Sequence, residues 1–374
     1  MPITIVTGAT GQDGAILSRM LVDNDHNVIG VSRRSSIDNT GRLALLDLYM
    51  PNEHDEKICP NFDLYFCDIS DTISVDNLFS YVNDKYGEIN YIFNMAAQSH
   101  VGISFGQPSY TFDVNVKGVL NILESMKRYC PRAKLVQAST SEMYGNNYSY
   151  SMDNIKYQDE NTPFAPNSPY AISKLAAHHL IQSYRDAYDL WACAAISFNH
   201  ECPLLRGEQF VTRKITKYLS ILYNAMRDGV DKNSLPTLRL GNIHSYRDWS
   251  HAYDICSGII SLILHDKPMN MVFASGKTHS VMEFLLQAFK CCKIADNIDD
   301  VMRFIKIDKG LYRPCEVEYL CGNARKARET LGWMPHYSFE DLVENMVEAE
   351  ISQTLAFPSI WDNLYPSKNK KFNN

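Results

Sequence analysis

Apolar runs too short to be helices alternate with helix-spaced apolar stripes along the first half of the chain. Ile3-Thr4-Ile5-Val6 is followed by the polar, glycine-rich stretch Thr7 to Gly14, and then by Ile16, Leu17, Met20 and Leu21 at helical spacing. Val28 to Val31, Leu64 to Cys67, Tyr91 to Phe93 and Cys193 to Ile196 repeat the strand signal, with helical patterns between them. Such alternation predicts an α/β fold, a doubly wound parallel sheet covered by helices on both faces. One more strand, Met271 to Ala274, is expected late in the chain. After Asn199 the pattern loosens, with helices expected near Ile215 to Met226, Val281 to Phe289 and Phe339 to Val347. The expected organisation is a nucleotide-binding domain over 1–198 with a returning segment at about 241–275. A smaller mixed α/β carboxy-terminal substrate lobe takes 199–240 and 276–350, and 351–374, rich in lysine and asparagine, forms a mobile tail.

The turn after the first strand carries the first chemistry. Gly8, Gly11 and Gly14 space a loop that also holds Thr10, Gln12 and Asp13. A strand entering a helix through such a loop brings bare backbone N–H groups and the positive helix end against a pyrophosphate. The second strand ends in Ser32-Arg33-Arg34, where an NAD site would carry a carboxylate for the ribose 2′-hydroxyl. Two guanidiniums suit a 2′-phosphate, so NADP is the expected cofactor. Asp68 stands where the adenine edge would lie, and the stretch Asn94 to Ser99, with Ala96 and Ala97, where the ribose and nicotinamide would pass.

Tyr170 and Lys174 are four residues apart in a helical pattern and therefore on one face. A lysine ammonium beneath a phenol, together with a positive nicotinamide, is expected to lower the phenol's pKa and make it a base for a secondary alcohol. Upstream, Ser139-Thr140-Ser141-Glu142 adds hydroxyls and a carboxylate.

Length and charge narrow the classes. At 374 residues the chain exceeds the usual single-domain range, in keeping with two lobes. A net charge of −7 argues against general nucleic-acid binding. No apolar run is long enough to span a bilayer and no basic-then-apolar leader precedes the first strand, so a cytoplasmic location is expected. The ten cysteines include no C-x-x-C pair and read as reduced thiols rather than disulfides or zinc ligands, and no metal site is expected.

Taken together, these motifs resemble the extended short-chain dehydrogenase/reductases, whose fold is Rossmann-type, and among them the GDP-mannose 4,6-dehydratases. The likeness runs to about Met346. It rests on Thr7 to Gly14, Arg33-Arg34-Ser35-Ser36, Asn39-Thr40-Gly41-Arg42, Ala97 to Val101, Gln137 to Glu142, Ser168-Pro169-Tyr170, Phe198 to Glu201, Phe210 to Ile215, Arg247-Asp248-Trp249 and Tyr312-Arg313-Pro314. The order Thr140-Ser141-Glu142 resembles these enzymes, whereas dTDP-glucose 4,6-dehydratases typically show Thr-Asp-Glu. The resemblance implies that Tyr170 takes the proton of the sugar C4 hydroxyl, Thr140 bonds the C4 oxygen and Ser141 supports the site. It implies that Glu142 removes the C5 proton before water leaves C6, and that a stored hydride returns to C6. It further implies Ile69, Tyr110, Lys174, His200 and Arg206 on the cofactor side. Ser99, Asn199, Lys214, Arg247, Arg313 and Glu316 would face a nucleotide sugar, and the loop from Arg33 to Arg42 would reach a neighbouring subunit of a homotetramer.

Three departures stand out. Glu201 to Gly207 lacks the family's consecutive arginines and is longer by one residue, Ser250 replaces the glycine usual after Arg-Asp-Trp, and the stretch Asn146 to Gln158 exceeds the family's loop, as lids beside sites often do. They leave open whether the sugar is a hexose or a heptose. Two other readings also stand: another nucleotide-sugar enzyme of the superfamily (a dTDP- or UDP-glucose or GDP-heptose dehydratase, a 4-epimerase or a reductase), or a catalytically silent NADP-binding scaffold. An epimerase has no need of Glu142.

Overall fold

The structure, a computed structural model, describes residues 1–50, 58–231 and 234–352. Seven strands form the central sheet: β1 (Ile3–Thr7), β2 (Asn27–Ser32), β3 (Phe62–Phe66), β4 (Ile89–Asn94), β5 (Lys134–Thr140), β6 (Ala192–Ser197) and β7 (Met271–Phe273). Their order is β7-β6-β5-β4-β1-β2-β3, every neighbouring pair parallel. The main helices in chain order are α1 (Gln12–Asp23), α2 (Thr72–Tyr86), α3 (Gly118–Tyr129), α4 (Pro169–Tyr188), α5 (Val211–Arg227), α6 (Ala252–Leu264), α7 (Val281–Cys291) and α8 (Phe339–Ser352).

Strands buried on both faces need apolar cover on both, and the helices divide accordingly. On one face Ile16, Leu17 and Leu21 of α1 join Ile255, Ile259 and Leu262 of α6. On the other, Leu78, Phe79 and Val82 of α2 pack with Ile122, Leu123 and Met126 of α3 and Ile181 of α4. The doubly wound expectation therefore holds, including the late strand: β7 pairs with β6 in the register Met271↔Ala195, Val272↔Ile196, Phe273↔Ser197.

A separate apolar cluster unites Ile215, Leu219 and Leu222 of α5 with Phe284, Leu285 and Phe289 of α7 and Leu342, Val343 and Met346 of α8. The chain passes into this lobe through Asn199–Glu201, which pairs in parallel with Trp249–His251. All ten cysteines are free thiols, and only Cys315 is exposed. The segment Asn146 to Gln158, expected as a long loop, folds back as an antiparallel hairpin pairing Ser149 with Tyr157 and Tyr150 with Lys156. Of the expected tail, Ile351 and Ser352 complete α8, and 353–374 lie outside the described residues.

Candidate active site

β1 neighbours β2 on one side and β4 on the other, so the chain leaves the sheet in opposite directions at this point and opens a crevice beyond the strands' carboxyl ends. A cleft of ≈ 780 Å³ occupies it. Gly8 turns the chain at φ 67°, and a Cβ there would stand 2.8 Å from the Ala96 nitrogen. A Cβ on Gly14 would lie 2.2 Å from the Gly8 carbonyl oxygen, so α1 seats its first turn against the loop only without a side chain. Thr10, Gly11, Gln12 and Asp13 complete this wall.

At the end of β2, Arg33 lines the cleft and donates to the Tyr110 hydroxyl at 2.8 Å. Arg34 does not line it; its guanidinium lies over the Phe66 ring, 4.7 Å from the centroid. The two arginines expected to act together thus point to different places. Asp68, Ile69, Ala96, Ala97 and Ser99 all border the cleft. Asp68 already accepts from the backbone and hydroxyl of Ser70, at 3.0 and 2.7 Å.

β5 delivers Thr140 to the centre of the cleft and runs directly into a tight turn, Ser141–Tyr144. The Thr140 hydroxyl caps that turn by accepting from the Glu142 N–H at 3.3 Å. Opposite, α4 begins with Ser168 as N-cap, accepting from the Ala171 N–H at 3.0 Å, and with Pro169 at the first helical position. Tyr170 and Lys174 follow on its buried face. Burial raises the Tyr170 phenol and the Glu142 charge adds to it, against a bond from Thr140 and the Arg206 charge; the value stands at about 12. Burial pulls Lys174 down to about 8, with Asp13 opposing. Its ammonium donates to the Ala138 carbonyl at 2.9 Å. A buried ammonium must find an acceptor, and the strand carbonyl is the one it finds. At this phenol burial outweighs the bond from Thr140, and the lowering expected from Lys174 is one it exerts together with a positive nicotinamide.

On the side toward the second lobe, two carboxylates and two guanidiniums alternate. Arg247, 6% exposed, reaches Glu316 with Nη2 2.9 Å from Oε1, and Arg313 Nη1 lies 3.5 Å from the same oxygen. The same Arg313 nitrogen lies 3.6 Å from Glu142 Oε1. Glu142 Oε2 is buried with no hydrogen-bond partner. A buried carboxylate oxygen left unbonded is costly, and Glu142 is also one of the residues that line the cleft. Next to Arg247, the fully buried Asp248 accepts from the N–H groups of Ser275, Gly276 and Gly322 and from the Ser275 hydroxyl, although burial lifts its pKa to about 6. Asn199 and Lys214 line the same end.

One ionic contact ties the strand Asn199–Glu201 back to the glycine loop: His200 Nε2 lies 2.9 Å from Asp13 Oδ2. Beyond it, Arg206 Nε lies 2.7 Å from Glu201 Oε2, with the Arg206 guanidinium over the Phe210 ring at 3.6 Å. Arg42, present in the sequence only as part of a signature, bridges the glycine loop to this region by donating to the Thr10 carbonyl at 3.0 Å and the Leu205 carbonyl at 2.6 Å. His100, Phe210 and Asn242 also border the cleft without having been singled out. For His100 a signal existed in the stretch Ala97 to Val101, but its polar neighbours Gln98 and Ser99 carry the same pattern.

The model of the family described as GDP-mannose 4,6 dehydratase matches residues 5–346. GDP-mannose 4,6 dehydratase 1 of Arabidopsis thaliana is 40% identical over 354 residues, covering 93% of this chain and 90% of its own. GDP-mannose 4,6 dehydratase 2 of Caenorhabditis elegans is 37% identical over 371 residues, covering 95% and 91%. Among solved structures, a dTDP-glucose 4,6-dehydratase from Streptomyces venezuelae, solved with NAD bound, superimposes with a TM-score of 0.74 at 20% identity, covering 95% of this chain and 98% of that one.

Proposed function

The chain belongs to the GDP-mannose 4,6-dehydratase family and is a nucleotide-sugar 4,6-dehydratase, and we propose that its substrate is GDP-mannose, converted to GDP-4-keto-6-deoxymannose with loss of water. The observation that carries this reading is Glu142: a buried carboxylate with one oxygen unbonded, lining the same cleft as Tyr170 and Thr140.

In this reading Thr140 holds the C4 oxygen and Tyr170 receives the C4 proton. At a pKa of about 12 the phenol is protonated near neutrality, so its work as base requires that ligand binding lower that value. Oxidation at C4 makes the C5 proton acidic, and the Glu142 carboxylate removes it. The same carboxyl group then returns a proton to the C6 hydroxyl as it departs. Ser141 supports the turn that holds Glu142, and Lys174 fixes β5 through Ala138. Ser99, Asn199, Lys214, Arg247, Arg313 and Glu316 are the groups offered to the nucleotide sugar.

A nicotinamide cofactor fits the opposite half of the cleft, because at Gly8 and Gly14 the space a side chain would fill is taken by backbone, so the loop packs tightly and leads into the N-terminus of α1, where a pyrophosphate would sit. Bound there, it supplies a reversible hydride acceptor, so that no external reductant is consumed. Gly8, Thr10, Gly11, Gln12, Asp13 and Gly14 would hold the diphosphate, with Asp68, Ile69, Ala96, Ala97, Ser99, Tyr110, Lys174, His200 and Arg206 around the rest. NADP is the form proposed, since β2 ends at Ser32 and is followed by Arg33 and Arg34 rather than by a carboxylate. The 1–198 and 241–275 segments would form the cofactor domain, with 199–240 and 276–350 as the substrate lobe. Among the described residues no helix is long and apolar enough to cross a membrane. A cytoplasmic homotetramer, joined in part through Arg33 to Arg42, completes the proposal.

Incubation of the purified protein with GDP-mannose tests it. Mass spectrometry is expected to find a product lighter by one water with no added reductant, and interconversion of C4 epimers at constant mass would overturn it.

A further inference from the structure

Asn146 lies four residues beyond Glu142, just past the turn Ser141–Tyr144. The direction in which the chain leaves that turn is set by Gly145, at φ 56°, where a Cβ would meet the Ala165 carbonyl oxygen at 2.0 Å. The Asn146 side chain is thereby laid along the segment 316–318. Its Nδ2 donates to the Glu316 carbonyl at 3.3 Å and its Oδ1 accepts from the Glu318 N–H at 3.1 Å. One side-chain amide brackets a single residue, Val317, which is 1% exposed and packs with Met143, Tyr144 and Phe198. Tyr148 steadies the amide by donating to its Oδ1 at 3.2 Å.

On its other side the same segment is held by Tyr246, whose N–H donates to the Glu318 carbonyl at 2.8 Å and whose carbonyl accepts from Leu320 at 3.1 Å. The Glu316 side chain stands between Arg247 and Arg313. A closed circuit results: Glu142 to Arg313, Arg313 to Glu316, Glu316 by backbone to the Asn146 amide, and Asn146 by backbone to Glu142.

The circuit matters because Arg313 is shared. Its Nη1 is nearly equidistant from the two carboxylates, 3.5 Å from Glu316 and 3.6 Å from Glu142. A carboxylate fully paired with arginine is a weaker base than one that shares it. We propose that Asn146 is a positioning residue for the C5 base: by bracketing Val317 it fixes Glu316 against Arg247 and Arg313, and so keeps the Arg313 guanidinium from closing on Glu142. The proposal rests on the reading of Glu142 as that base. The charged and titratable groups that bear on Glu142 are Tyr170 from α4, Arg247 from the strand beside Tyr246, and Arg313 with Glu316 from the segment leading to Val317.

The experiment is the pH dependence of kcat for GDP-mannose dehydration in four proteins: wild type, Asn146→Ala, Glu316→Gln and the double variant. Asn146 is exposed, so its truncation leaves the core intact. Releasing Glu316 lets Arg313 close on Glu142, which favours the carboxylate. The ascending limb of the Asn146→Ala profile is therefore expected at lower pH by about half a unit to one unit, with plateau kcat reduced roughly threefold. In the Glu316→Gln background the Asn146→Ala change is expected to add nothing, because both act through one carboxylate. Asn147→Ala is the control. That side chain bonds the Pro163 carbonyl, at 3.2 Å, and its profile is expected to match wild type. An unmoved limb in Asn146→Ala, or a shift that adds fully to that of Glu316→Gln, overturns the positioning role. Glu142→Gln measured alongside separates the two readings: if it still dehydrates, the base assignment itself fails and the positioning role falls with it.

Discussion

His200 Nε2 lies 2.9 Å from Asp13 Oδ2, across 187 residues of sequence, and joins the glycine loop to the strand on which the chain enters its second lobe. Burial alone would lower the His200 pKa, but Asp13 outweighs it and the net shift is upward. For Asp13 burial pushes upward, and His200 with Gln12 brings the value down to about 2.

The pair's stabilisation therefore has a defined window. The Asp13 contribution is present above its ordinary 3.8 and is lost as pH falls toward 2. The His200 contribution is complete below its ordinary 6.5 and fades as pH rises through the elevated folded value. Asp13→Asn is expected to cost roughly 1–3 kcal/mol at about pH 5.5 and less at about pH 8.5. Urea unfolding at the two pH values measures it, and equal losses would show that the pair does not act as an ion pair.

Glu142→Gln and Tyr170→Phe are expected to fail at different steps. The first should retain cofactor affinity and still reduce the bound nicotinamide on addition of substrate while losing dehydration; the second should lose both. Each loss is expected to be roughly 100-fold or more, the scale of a missing proton-transfer group. Absorbance of the reduced nicotinamide tells them apart, and near-normal dehydration by Glu142→Gln would remove that residue from the mechanism.

The divergent directions of Arg33 and Arg34 predict different variants. Arg33→Ala is expected to weaken NADP binding about tenfold with little effect on NAD, whereas Arg34→Ala should act less, since its side chain lies on Phe66 outside the cleft. Arg34→Glu, by reversing charge in the loop proposed to meet a neighbouring subunit, is expected to shift light scattering toward smaller assemblies. Calorimetry showing a preference for NAD in the wild type would sink the cofactor assignment.

Gly14→Ala is expected to destabilise by about 1–3 kcal/mol and to abolish cofactor binding, because the new methyl would stand 2.2 Å from a backbone oxygen that has no room to yield. Ala in place of Gly41, whose Cβ would meet nothing within 4 Å, is the matched control. Thermal unfolding with and without NADP gives both numbers.

The parallel sheet was legible because each buried strand is an apolar run bounded by polar turns, and the glycine loop because its spacing states a backbone requirement. The hairpin at Ser149–Tyr150 and Lys156–Tyr157 was not, since strands of two residues have no period to read. Nor was the Lys174 ammonium's acceptor, Ala138, 36 residues away on another element, because spacing along one helix fixes which face a side chain takes but not what it meets there. Arg42 illustrates the same limit: two carbonyls, one in the glycine loop and one at Leu205, make its role, and neither carbonyl leaves a mark on residue type.

The late strand Met271–Phe273 has a bearing on how the protein is made. Until the ribosome has delivered it, Ala192–Ser197 forms the outer margin of the sheet, with its unpaired amides and carbonyls open to any other extended chain. The second lobe's first helix, Val211–Arg227, is synthesised in that interval. Nascent chains halted shortly before Met271 are thus the ones most exposed to mispairing, and the margin closes only when the polypeptide returns from the other lobe to seal it.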